Sequence, residues 1–203
     1  MIDEESVSDH NPDADDVAIP LEDPTASGGM KTAKSLVLVN TGDGKGKSTA
    51  AFGTVLRALA QDWPVAVVQY LKSGDWNVGE EKMLRGLGVD WFAAGDGFTW
   101  NSDDLDESKA LARGAWAKTA ELIAAGEHRL IVCDEISYAM TWNWIDTAEV
   151  VEAIENRPER VSIILTGRDM AQEVIDVAHT VTSMTQVKHA FEQKIVAKKG
   201  IDY

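Results

Sequence analysis

Residues 36 to 49 read Leu-Val-Leu-Val-Asn-Thr-Gly-Asp-Gly-Lys-Gly-Lys-Ser-Thr, an apolar run entering a glycine-rich turn that ends in Gly46-Lys47-Ser48. Such a turn can cradle the phosphates of a nucleotide. At Gly42, Gly44 and Gly46 no Cβ separates the backbone N–H groups from phosphate oxygens, and a helix beginning here adds its partial positive charge. Lys47 supplies a point charge and Ser48 a hydroxyl suited to Mg²⁺, while Thr41, Asp43, Lys45 and Thr49 complete the candidate ATP-binding set. The strict motif has glycine where Thr41 stands, so the loop is off-consensus. ATP is the first ligand it implies.

A second apolar run, Arg129-Leu-Ile-Val-Cys-Asp134-Glu135, ends in two acids. Phosphate-loop proteins place a strand-end carboxylate opposite the loop to hold the metal ion, which makes Asp134 and Glu135 the metal candidates together with Ser48. Neighbouring strand residues point to opposite faces, so the pattern allows one to reach the ion while the other binds a water or a loop N–H. Thr166-Gly167-Arg168 closes a further run. The Arg168 fork suits bidentate phosphate contact, and a surface salt bridge with Asp169 or Glu173 is the alternative.

Gly95-Asp-Gly-Phe98-Thr-Trp100 carries two large aromatics flanked by glycines. Ligand binding and anchoring of the loop to the core are both open for them. Trp142 and Trp144 follow the acidic pair and could line the same cleft or pack beneath a loop. Seven tryptophans are generous for 203 residues and fit a large, flat, apolar ligand. No nucleophile with an adjacent base is evident. The histidines at 10, 128, 179 and 189 are scattered without metal-ligand spacing, so the chemistry must come mostly from bound ligands.

These residues need a scaffold. Apolar runs at 36–40, 65–70, 89–93, 129–133 and 161–165 are rich in Val, Ile and Leu, as buried parallel strands are. Helical periodicity between them predicts helices over 48–61, 106–125 and near 78–87, 146–156 and 169–178. The alternation predicts an α/β fold, a mostly parallel sheet with helices on both faces and ligands at the carboxyl ends of the strands.

Net charge is −15, but residues 1 to 30 hold nine acidic and no basic side chains, leaving −6 for the rest. Residues 1–33 hold few large apolar groups and read as an acidic, disordered tail, with one domain over 34–203. The moderately acidic body argues against a nucleic-acid partner. A single cysteine, Cys133, sits in an apolar run, and no stretch approaches a membrane span or signal-peptide core, which points to the cytoplasm.

Six segments together carry a resemblance: Thr41 to Gly53, Val68-Gln-Tyr-Leu-Lys72, Gly97-Phe-Thr-Trp100, Asp134-Glu135-Ile-Ser-Tyr138, Thr166-Gly-Arg168 and the closing Lys199-Gly-Ile-Asp-Tyr203. Over residues 36 to 203 the chain resembles the ATP:corrinoid adenosyltransferases acting on cobyrinic acid a,c-diamide, cobinamide and cobalamin. The resemblance implies a RecA-like P-loop domain, a homodimer and a place in adenosylcobalamin synthesis. It implies ATP as co-substrate, Mg²⁺ or Mn²⁺ in its place, and a corrinoid bound by Phe98 and Trp100; Trp142 joins them as a candidate from its place after the acidic pair.

It also explains the missing base. In the family, cobalt(I) of the corrinoid attacks C5′ of ATP and expels triphosphate, and the loop holds ATP with the γ-phosphate near where other phosphate-loop proteins place the α. Lys47 then neutralises the leaving group. Phe98 and Trp100 match the aromatics that displace the lower axial ligand of cobalt(II), which eases reduction by a flavoprotein. Two departures stand out: relatives commonly show Asn at position 43, and many carry a basic N-terminal segment that covers the partner subunit's site. The rival readings are a P-loop ATPase or small-molecule kinase transferring the γ-phosphoryl group, and a corrinoid carrier without catalysis.

Overall fold

The computed structural model describes residues 32–71, 79–93 and 105–202. Phe98, Trp100 and the tail expected at 1–33, save its last two residues, lie outside them. Six strands form one sheet: β1 (Val37–Thr41), β2 (Val65–Gln69), β3 (Asp90–Ala93), β4 (Leu130–Asp134), β5 (Ser162–Thr166) and β6 (Thr180–Ser183). Their spatial order is β3-β2-β4-β5-β1-β6, and every pairing is parallel. Helices α1 (Lys47–Leu59), α2 (Gly79–Gly86), α3 (Leu105–Ala125), α4 (Ile136–Thr141), α5 (Thr147–Glu155) and α6 (Gln172–Val177) connect them.

Strand alternation divides the buried residues between two cores. Val37, Val39, Ala66, Val68, Ile131, Cys133, Ile163 and Leu165 belong to one, with side chains of α3, α4, α5 and α6. Val65, Val67, Leu130, Val132 and Ile164 belong to the other, with Ala51, Phe52 and Val55 of α1 and Leu84 of α2. Both faces of the central strands are therefore dry, which is why the sequence shows continuous apolar runs there.

Two elements were not foreseen. β6 reads Thr-Val-Thr-Ser, and all four residues are exposed. It has no apolar run because it is an edge strand, held by ladder bonds to β1 and by His179, whose N–H donates to Val37 O at 2.9 Å and whose Nδ1 accepts from Val37 N–H at 3.0 Å. α4 is only six residues long, too short for a periodic signal, and its role is to turn the chain directly after the acidic strand end.

Register sets what meets at the carboxyl edge. Gln69 pairs with Asp134 across β2 and β4, and Asn40 pairs with Thr166 across β1 and β5. β5 thus lies between the loop-bearing strand and the acidic strand, and its last residue, Thr166, can reach Asp134.

Candidate active site

The phosphate loop is built by what surrounds it. Gly46 precedes α1 with φ 111°, and no side chain caps the helix, so its first-turn amides are left for an anion. Asn40 Nδ2 donates to Lys47 O at 3.1 Å, tying the strand to the helix start. Lys47 is buried and donates from Nζ to Gly42 O at 2.9 Å and Gly44 O at 2.8 Å. Burial is the largest influence on that ammonium and pushes its pKa down; Arg168 adds to the effect, while Glu135, Asp43 and Asp134 oppose it.

Two groups of the loop have partners within the protein that the sequence does not show. The Gly44 N–H donates to Met184 O at 2.7 Å and is not offered to a ligand. Thr41 is buried and outside the cavity lining: its carbonyl accepts from Met184 N–H at 2.8 Å and its hydroxyl from Met170 N–H at 3.3 Å. The off-consensus threonine therefore joins the loop to the segments after β5 and β6. A Cβ at Gly42 or Gly44 would run into the backbone of Met184 or Thr185, so these glycines serve close packing as much as phosphate approach.

Above the loop opens a cavity of about 580 Å³, lined by Asp43 to Thr49, Phe52, Gln69, Leu71, Glu80, Asp134, Glu135, Tyr138, Arg168, Ile201 and Asp202. Asp134 is wholly buried at its floor. Ser48 hydrogen-bonds to it, Thr166 Oγ1 donates to Oδ1 at 2.8 Å, and Gln69 Nε2 donates to Oδ2 at 3.2 Å. Burial raises its pKa and these three bonds hold it down. Glu135 follows with φ 60°, a left-handed conformation that costs a non-glycine residue about 1 kcal/mol or more. Its N–H donates to Thr166 Oγ1 at 2.9 Å, and its Oε2 is buried with no hydrogen-bond partner among the described residues. Burial, then the neighbouring Asp134, push its pKa up to about 7 against the opposing influence of Lys47 and Arg168.

Arg168 faces the cavity from the loop after β5, where Gly167, at φ 136°, packs against Ser137 so closely that a Cβ would overlap its hydroxyl. Among the described residues Arg168 forms no ion pair with Asp169 or Glu173, the alternative open in the sequence. Asp43 is exposed on the cavity wall, which spares the expected phosphates a buried like charge. Trp142 is not in the lining. It stacks on Trp144, with ring centroids 4.7 Å apart, and on Tyr138 at 5.4 Å, so it meets the cavity through Tyr138.

Residues 33–203 match the model of a family described as ATP:corrinoid adenosyltransferase BtuR/CobO/CobP. The chain belongs to that family. Among similar proteins are a corrinoid adenosyltransferase of Sinorhizobium sp., 40% identical over 84% of this chain and 81% of its own length, and one of Escherichia coli K12, 36% identical over 84% and 86%. Corrinoid adenosyltransferase CobA of Salmonella typhimurium is also 36% identical, with the same coverage. The parallel α/β sheet carries the fold class expected from the apolar runs, and the family match establishes the enzyme class that the resemblance implied: this is an ATP-dependent corrinoid adenosyltransferase.

Sequence reasoning gave no role to several residues of this adenosyltransferase site. Gln69, Leu71, Tyr138, Ile201 and Asp202 lay within motif segments but carried no signal of their own, and Phe52, also within one, read otherwise as the apolar face of α1. Glu80 fell in a stretch without any motif weight.

Proposed function

We propose that the cavity over the phosphate loop holds ATP with its polyphosphate against Lys47, Ser48, Thr49 and Arg168 and with C5′ turned toward a reduced corrinoid. The corrinoid's cobalt(I) attacks C5′, the C5′–O bond breaks, and triphosphate departs with the electron pair as cobalt becomes cobalt(III). The observation that carries this reading is a buried lysine and an uncapped helix start facing a buried aspartate across one cavity. Electrostatic grip on a leaving polyphosphate needs these groups; a nucleophile supplied by the substrate makes a protein base unnecessary.

The donor set fits Mg²⁺. Ser48 and Asp134, joined by a hydrogen bond, offer hard oxygens, Glu135 Oε2 is a buried acceptor without a donor, and no cluster of three His, Cys, Asp or Glu side chains exists among the described residues. That suits an ion that keeps several waters and shares the phosphates. Mg²⁺, or Mn²⁺ in its place, would neutralise polyphosphate charge there. Ser48 and Asp134 would hold it, and the buried Glu135 carboxylate beside them would add negative charge to the site.

Phe98, Trp100 and Trp142 contact the corrinoid, and the first two displace its lower axial ligand, so that a flavoprotein can reduce cobalt(II). Family likeness supports these roles together with a homodimer and a cytoplasmic setting. No helix among the described residues is long and apolar enough to cross a membrane. The deciding experiment incubates the chain with ATP, Mg²⁺ and reduced corrinoid. Triphosphate and a light-sensitive cobalt–carbon spectrum are expected; ADP and orthophosphate without organocobalt product would overturn the assignment.

A further inference from the structure

The cavity wall contains a residue that a polyphosphate site should not tolerate. Asp202 lines it, as Lys45 of the phosphate loop does, and so sets a negative charge on the wall of the proposed polyphosphate site. Its carboxylate is only 21% exposed, and it does not stand alone: Oδ1 accepts from Lys45 Nζ, and Oδ2 accepts from Lys198 N–H at 2.8 Å. A tight turn presents it, in which the N–H groups of Ile201 and Asp202 both donate to Lys198 O, at 3.0 and 2.8 Å. The hydrogen bond from Lys198 N–H, then that from Lys45, hold its carboxyl below the usual range, so it is ionised at neutral pH.

Lys45 lies in the loop itself and lines the same cavity. Its flexible ammonium is thus shared between two anions, the fixed Asp202 and an incoming polyphosphate. From these contacts we propose that Asp202 sets the enzyme's affinity for the polyphosphate part of its nucleotide and product, by holding Lys45 away from the phosphates and by repelling them. The proposal rests on the reading that the loop binds a polyphosphate. Its consequence is weaker retention of free triphosphate after the carbon–oxygen bond has broken. ATP keeps its adenosine contacts and loses proportionately less. The ion pair also clips the end of the chain onto the loop, beside the Met184 contacts that brace it from below.

The test measures binding of inorganic tripolyphosphate, with Mg²⁺, to the full chain by calorimetry. Asp202→Asn is nearly isosteric and keeps an oxygen for Lys198 N–H. It should bind tripolyphosphate about threefold to tenfold more tightly at low salt, with the gain shrinking as salt is raised. Lys45→Ala should bind it more weakly, and Asp202→Asn introduced into Lys45→Ala should give a smaller gain than in the parent, because part of the effect runs through Lys45. In turnover, Asp202→Asn should show stronger inhibition by tripolyphosphate with little change in corrinoid KM. Unchanged or weaker tripolyphosphate binding by Asp202→Asn overturns the proposal, as does a full-sized gain in the Lys45→Ala background. Lys47→Ala serves as the separate control. Were it to bind tripolyphosphate as well as the parent, the phosphate-loop reading itself would fail.

Discussion

Thr166 Oγ1 donates to Asp134 Oδ1 at 2.8 Å while accepting the N–H of Glu135 at 2.9 Å. One hydroxyl from β5 thereby fixes both acids at the end of β4. Thr166→Val keeps the shape but leaves a buried carboxylate oxygen and a backbone N–H without this partner. It should cost about 1–3 kcal/mol, read as a lower urea midpoint at unchanged slope, whereas Thr166→Ser should recover most of the loss.

Glu135 makes stability depend on pH. Its pKa in the fold is about 7, above the usual carboxylate value of 4.5, so the folded chain favours the neutral form. The associated stabilisation is present below about 4.5 and is lost as pH rises through the interval to about 7. In chelator, the unfolding free energy read from urea titrations should fall across this window by on the order of 3 kcal/mol, and Asp134, also raised, acts in the same direction. Glu135→Gln should flatten the profile. A wild-type chain equally stable at both ends of the window would contradict the burial of this group.

Lys47 is held through its Nζ by two loop carbonyls, those of Gly42 and Gly44. Lys47→Ala should lower kcat/KM for ATP by at least about a hundredfold, the scale of losing a charge aimed at a leaving group. Lys47→Arg should not rescue it, since a planar guanidinium fork does not reproduce the compact ammonium that Gly42 O and Gly44 O hold. Steady-state kinetics with varied ATP decide both.

Trp100→Ala separates reduction from alkyl transfer. With chemically prereduced corrinoid the variant should retain activity, while assays that depend on a flavoprotein for cobalt(I) should lose most of it. Equal losses in both would remove the proposed role.

Deleting residues 1 to 30 should leave the corrinoid KM unchanged, because an acidic segment lacks the basic character of the covering segments in relatives. A several-fold rise in that KM would give the tail a part in the site.

Much of this could be read before any coordinates. The buried strands announced themselves because both faces of β2, β4 and β5 are dry, and Lys47, Ser48 and Asp134 because phosphate chemistry needs those types after a strand. Edge strand β6 escaped, since exposed residues carry no apolar pattern. The true partners of Thr41 and the Gly44 N–H escaped for another reason: Met170 and Met184 lie more than a hundred residues away, and only the completed sheet brings them to the loop. Asp202 was legible as part of a closing motif, but its ion pair with Lys45 needed the fold.

The bracing of the loop by Met184 also sets an order of events in the cell. β1 and the loop are made well before the strand and turn that support Gly42 and Gly44. A nascent chain must therefore complete β6 and the turn at Met184 before its loop gains that bracing.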